Sequence, residues 1–123
     1  PHMLKQGEGT ILNVASMAGV NGAQKLTAYV ASKHATVGIT KTAALEFARN
    51  NIRINAVCPF FSPTALVIDG FGAEKMKLIA KSSPMKRLGS LEEIVSAMLL
   101  IIDPTNSYMT GQAIHVDGGF SAV

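Results

Sequence analysis

Apolar positions along the chain fall into short runs bounded by glycine, proline and asparagine, and their spacing changes from one run to the next. Residues 10–15 read Thr-Ile-Leu-Asn-Val-Ala, entered from Gly7 and Gly9 and left through a small-residue stretch ending near Gly22. That pattern predicts a buried strand followed by a loop. From 27 to 50 the apolar residues recur at helical spacing. Val30, Val37, Ala44 and Ala48 form one stripe, and Ala35, Ile39, Ala43 and Phe47 a second. A helix apolar on two faces is expected to be buried on both, one against a sheet and the other against a further protein surface.

Asn50 and Asn51 predict the helix stop, and residues 52–57 (Ile-Arg-Ile-Asn-Ala-Val) a second strand ended by Pro59, which cannot continue a central ladder. Residues 59–89 hold three prolines and three glycines around a helical patch near 74–81, the profile of a mobile lid. Ser90-Leu91-Glu92-Glu93 is a capping box that opens a helix through about Ile102, stopped by Asp103-Pro104. Residues 112–116 predict a third strand, and Asp117-Gly118-Gly119 turns out of it. Strand, helix, strand, lid, helix and strand is an α/β order, for which right-handed crossovers favour a parallel sheet of about three strands with flanking helices. The first strand, left at an open edge, is expected to pair with another chain.

Composition narrows the setting. With 48% apolar residues in 123, a single domain can bury an ordinary core. No stretch approaches the roughly 18 apolar residues of a membrane span, and the single Cys58 suits a reducing compartment, so a soluble, cytoplasmic protein is expected. Pro1-His2-Met3 reads as an expression-tag remnant, with residues 4–123 forming the domain. The net charge of +3 includes a cluster at Lys75, Lys77, Lys81, Lys86 and Arg87. Without interleaved aromatic residues it reads as a solvated helix face, not as a nucleic-acid surface. His34 and His115 lack the spaced partners of a metal site.

Tyr29 and Lys33 stand four apart near the start of the long helix, so their side chains share a face. A phenol is a poor base near neutral pH until an adjacent ammonium stabilises its phenolate. Such a pair can transfer a proton. Ser16, at the C-terminal end of the first strand, is placed to hydrogen-bond a substrate oxygen, because ligands bind beyond the carboxyl ends of parallel strands. The spacing alone is weak, since a Tyr and a Lys four apart also occur by chance on exposed first turns.

Larger motifs carry the argument further. Gly9 through Ser16, Tyr29-Val-Ala-Ser-Lys33, Ile54-Asn-Ala-Val-Cys-Pro59, the segment from Pro84 to Glu93, and Thr110-Gly-Gln112 through Asp117-Gly-Gly119 follow in that order. Together they resemble the C-terminal half of the short-chain dehydrogenase/reductase family, including its Tyr-x-x-x-Lys motif and a serine thirteen positions ahead of the tyrosine. The resemblance implies a partial Rossmann-like fold. It also implies an NAD(P)-dependent oxidoreductase, in which a nicotinamide exchanges hydride with a carbonyl or alcohol carbon while Tyr29 supplies or removes the proton. Ser16 would hold the oxygen. Lys33 would assist Tyr29 and grip the nicotinamide ribose, with Pro59 and Thr64 beside the nicotinamide.

The sequence departs from that family in two ways. No Gly-x-x-x-Gly-x-Gly turn opens a helix to seat a pyrophosphate, and the family's catalytic asparagine motif is also missing. Phe60 stands where the family usually has glycine, whose freedom of torsion lets the backbone approach the cofactor. Phe60 and Phe61 read either as aromatic cover for an apolar pocket or as specificity residues. Two functions follow: an NAD(P)-dependent oxidoreductase, inactive as this chain alone, or a non-catalytic, self-associating remnant. In either case a homo-oligomer, dimer or tetramer, is expected.

Overall fold

A computed structural model describes residues 1–122. Its order is α1 (His2–Gln6), β1 (Gly9–Val14), α2 (Thr27–Phe47), β2 (Ile52–Pro59), α3 (Ala65–Ser82), α4 (Leu91–Ile102) and β3 (Ala113–Val116), with single 3-10 turns at Met17–Gly19, Ala48–Asn50 and Phe120–Ala122. The strands form one parallel sheet in the order β1-β2-β3, pairing Gly9 with Ile52 and Ala56 with Ala113. The expected three-stranded parallel sheet with flanking helices is present. Val123, the last residue of the assigned domain, lies outside the described residues.

Central β2 is buried on both faces from Ile52 to Cys58. Alternate residues of a strand point to opposite sides, so its two faces carry different tasks. Ile52 and Ile54 pack with Ala44 of α2, and Ala56 and Cys58 pack with Val37 of α2. On the opposite face Arg53 and Asn55 put polar groups into the interior. The Arg53 guanidinium donates to the carbonyls of Ile101, Ile102, Asp103 and Met109 at 3.1–3.3 Å. Three of these four lie at the end of α4, where helix geometry leaves carbonyls without partners and the dipole favours a cation. Asn55 donates to the Met109 carbonyl and accepts from the Gln112 amide, which fixes the entry into β3.

At the start of α4 the capping box is present: Ser90 Oγ accepts from the Glu93 amide, and the Glu93 carboxylate accepts from the Ser90 amide. Arg87 also donates to both Glu93 oxygens at 2.7 Å. This guanidinium first, and the Ser90 amide second, hold the Glu93 carboxyl down to about 2.

Three details differ from the sequence reading. The lid, Ala65–Ser82, is two helical segments interrupted at Gly72; the second contains the expected patch near 74–81, and the first adds to it. Thr64 caps the first segment by accepting from the Val67 amide, and Gly72, at the non-helical φ 70° and ψ 163°, separates it from the second. Residues 2–6 form a helical turn that seats Met3 beside Phe47 on the Ala44, Ile52 and Ile54 cluster, so Met3 takes part in the fold. The helix over 27–50 ends at Phe47, and Asn51 takes the left-handed conformation at φ 57° after a 3-10 turn.

Two stability predictions follow from these contacts. Arg53→Leu leaves the carbonyls at the end of α4 without their donor and is expected to lower stability by about 2–4 kcal/mol in urea unfolding. A loss below about 0.5 kcal/mol would show that water serves those carbonyls equally well. The Glu93 carboxyl is depressed in the folded chain from an ordinary value of 4.5. Its contribution is therefore present above that ordinary value and lost as pH falls through about 2. Glu93→Gln is expected to flatten the dependence of the urea midpoint on pH across this acid window, and an unchanged slope would contradict the assignment.

Candidate active site at the C-terminal rim of the sheet

The candidate residues Ser16, Tyr29 and Lys33 lie where β1 and β2 end. Ala15 leaves the β1 ladder, though its amide still donates to the Val57 carbonyl at 2.9 Å, and holds the next residue at the rim. Ser16 caps the following 3-10 turn, with its Oγ accepting from the Ala18 amide at 3.1 Å. That bond occupies an acceptor position of the hydroxyl and leaves its O–H free to donate to a ligand.

Tyr29 and Lys33 lie on the first turns of α2. Lys33 Nζ donates to the Val14 carbonyl at 2.9 Å, which ties the helix to the end of β1 beside Ser16, and stands 5.7 Å from the centre of the Tyr29 ring. An ammonium has three donors, so two remain for other partners. Tyr29 is 44% exposed, and its hydroxyl has no hydrogen-bond partner among the described residues. The helix reaches this position through a second tie: Asn13 Nδ2 donates to Thr40 Oγ1 at 2.9 Å, and that hydroxyl donates to the Thr36 carbonyl at 2.8 Å. Gly19 permits the close approach, because a Cβ there would come within 2.7 Å of the Lys33 carbonyl oxygen.

Sequence reasoning overlooked two contributors. Thr40, wholly buried, reads from the sequence as an ordinary helix residue, yet it is the contact that registers α2 on β1. Cys58 is a small buried residue as expected, but it borders the site. Burial pushes its thiol up, against the opposing effects of a hydrogen bond from the Ser16 backbone and the charge of Lys33.

Thr64 and Pro59 stand apart from the Ser16, Tyr29 and Lys33 group in their bonding. Pro59 closes β2 opposite Val116, and Thr64 caps α3. Phe60 takes no left-handed torsion, so the conformation that would demand glycine is absent at this position. Its amide donates to the Val116 carbonyl at 3.0 Å, an ordinary extension of the sheet. His34 contacts the Val30 carbonyl through Nδ1, and His115 contacts Ser121 Oγ.

A family model described as enoyl-(acyl carrier protein) reductase matches residues 1–121. Cyclohexanol dehydrogenase of Acinetobacter sp. (strain SE19) is 40% identical over 122 residues, which cover 99% of this chain and 47% of that protein. The chain belongs to the short-chain dehydrogenase/reductase family. Another relative in the family is the 3-oxoacyl-[acyl-carrier-protein] reductase FabG of Thermotoga maritima, 40% identical over 97% of this chain and 48% of that protein. Among solved structures of short-chain dehydrogenase/reductase fold, ElxO with NADP bound superposes with a TM-score of 0.91 at 33% identity, over 99% of this chain and 50% of that one. The chain spans about half the length of the curated relatives it matches.

Because the Tyr29 hydroxyl holds nothing together in the described structure, Tyr29→Phe is expected to leave thermal unfolding unchanged within about 0.5 kcal/mol. A larger loss would assign the residue a structural role in place of a chemical one.

Proposed function

We propose that these residues are the proton-transfer part of an NAD(P)-dependent oxidoreductase that interconverts a carbonyl and an alcohol. The observation that carries this reading is the tie of Lys33 to the Val14 carbonyl, which brings the ammonium and the Tyr29 phenol of one helix face to the strand end that presents Ser16. In this reading the Ser16 hydroxyl donates to the substrate oxygen, and Tyr29 Oη gives that oxygen a proton in reduction or takes one in oxidation. Lys33 stabilises the phenolate and keeps donors for ribose hydroxyls. A bound nicotinamide supplies or accepts the hydride.

The residues present fit the nicotinamide ribose end of such a cofactor, through the remaining donors of Lys33 and the exposed phenol. Among the described residues no glycine-rich turn leads from a strand into a helix to receive a pyrophosphate. The isolated chain is therefore inactive in this reading. Titration with NADH and NADPH, following nicotinamide fluorescence and the unfolding midpoint together, is expected to show no saturation at about 1 mM, where binding is worth only about 4 kcal/mol. Saturable binding with stabilisation would overturn the inactivity. Carbonyl reduction lost in Tyr29→Phe by at least about 100-fold would then establish the proton-transfer role.

The second reading, a self-associating module, is favoured by one specific observation: Ile39 and Leu45 on the outer face of α2 are 63% and 83% exposed, and β1 has a free edge with exposed Ile11 and Val14. That reading is of a non-catalytic remnant, and it shares with the first the expectation of a homo-oligomer. No helix among the described residues is long and apolar enough to cross a membrane. Sedimentation is expected to show a dimer or larger species, whereas a monomer independent of concentration would count against it.

A further inference from the structure

Alternation along β1 decides which of its backbone groups are free. The Gly9 amide donates to the Asn51 carbonyl and the Ala15 amide to the Val57 carbonyl, so the odd-numbered residues of this strand turn both backbone groups to β2. The even-numbered Thr10, Leu12 and Val14 turn theirs to the open edge. Of these groups only the Val14 carbonyl has a partner among the described residues, Lys33 Nζ at 2.9 Å. The strand is also unprotected. Its sequence, Gly-Thr-Ile-Leu-Asn-Val, holds no charge and no proline, and its pairing with β2 runs without a bulge. Charge, proline and bulges are the devices by which an edge strand ordinarily avoids a neighbour.

The side chains agree with the backbone. Register places Thr10, Leu12 and Val14 beside Arg53, Asn55 and Val57, on the face that α4 covers. On α4, Ile94 and Ile101 are buried against the sheet, while Leu91, Val95, Leu99 and Ile102 form an exposed stripe about a quarter-turn round the helix. The end of α4 lies over the start of β2, where Arg53 holds it, so the helix runs against the strands. With a right-handed crossover from β1 through α2 to β2, the flank bearing the stripe is the one turned towards the β1 edge. Edge and stripe thus face the same way, and neither carries a charge.

A surface of this kind fits a second copy of itself. The free groups are spaced symmetrically about Leu12, so a two-fold axis through that residue pairs Leu12 with its own counterpart and Thr10 with the partner's Val14 in an antiparallel ladder. Thr10 and Val14, both β-branched, are favourable cross-strand neighbours. The same axis brings the two α4 stripes together, and a chain of net charge +3 meets itself there without opposed charges.

We infer that two copies of this chain join edge to edge through β1, merging their three-stranded sheets into one. The inference rests on the expectation of a homo-oligomer in the proposed function and names its surface. Because the joined strands run antiparallel, the Ser16 rims lie at opposite ends of the merged sheet, and neither site borrows residues from the other.

The test is amide hydrogen exchange of the 123-residue chain, read by NMR over a range of concentrations with sedimentation in parallel. Ile11 and Asn13 are expected to be protected throughout. Thr10, Leu12 and Val14 are expected to gain at least about 100-fold protection only where sedimentation shows association. Leu99→Lys, at a position exposed in the single chain, is expected to weaken association at least about tenfold and to remove that protection with the fold intact. Ile39→Lys combined with Leu45→Lys, on the outer face of α2, is expected to leave the protection in place. Associated chains whose three edge amides exchange freely, a dissociation constant unchanged by Leu99→Lys, or loss of the protection in the α2 variant would each overturn the inference while self-association stands. A monomer at every concentration overturns both. A monomeric chain that gains the protection only when the N-terminal half of a full-length relative is added assigns the edge to a different partner, and that too overturns the inference.

Discussion

The fold depends on β2 being buried on both faces while carrying an arginine. A guanidinium placed inside a sheet protein is costly unless its donors are met, and Arg53 meets them with carbonyls that would otherwise end α4 unpaired. The two deficits cancel, and a strand, a helix end and the loop leading to β3 are fixed by one side chain. Asn55, two residues on, extends the arrangement to the Gln112 amide. With one face of β2 thus committed to α4 and the following loop, the other is left entirely for α2.

That division explains where the candidate site sits. Parallel strands of one sheet end on the same side, so β1 and β2 deliver Ser16 and Cys58 to a common rim. The long helix must then be held at a definite height for Tyr29 and Lys33 to reach that rim. Two polar ties do so, Asn13 to Thr40 in the middle of the helix and Lys33 to Val14 near its start. Lys33 is thereby both a part of the candidate site and a part of what positions it.

Much of this was legible in the sequence because the signals were local or carried by ordered motifs. The strand runs, the capping box at Ser90 and the spacing of Tyr29 from Lys33 need only neighbouring residues to be read. The role of Arg53 was not legible, since a lone charge in an apolar run gives no hint of a helix end arriving from 48 residues later in the chain. Thr40 was hidden for the same reason: its partner is 27 residues away. The first segment of α3 was missed because its few residues between Thr64 and Gly72 carry no clear helical period. Gly72 separates that segment from the patch the sequence did show.

Phe60 is where local reading and three-dimensional placement diverge most. Taken with its neighbours, an aromatic residue in place of glycine raises a question about backbone torsion, and the structure answers that the torsion is ordinary. The side chain then becomes the consequential feature. The alternation that sends Ala56 and Cys58 toward α2 sends Phe60 the same way, so a bulky ring arrives at the edge of the reactive group. A glycine there would leave space beside the Cys58 and Met17 cluster, and it would leave Phe120 and Phe61 without the ring that joins them. The substitution therefore changes which surface the site shows to a ligand without changing how the sheet is built.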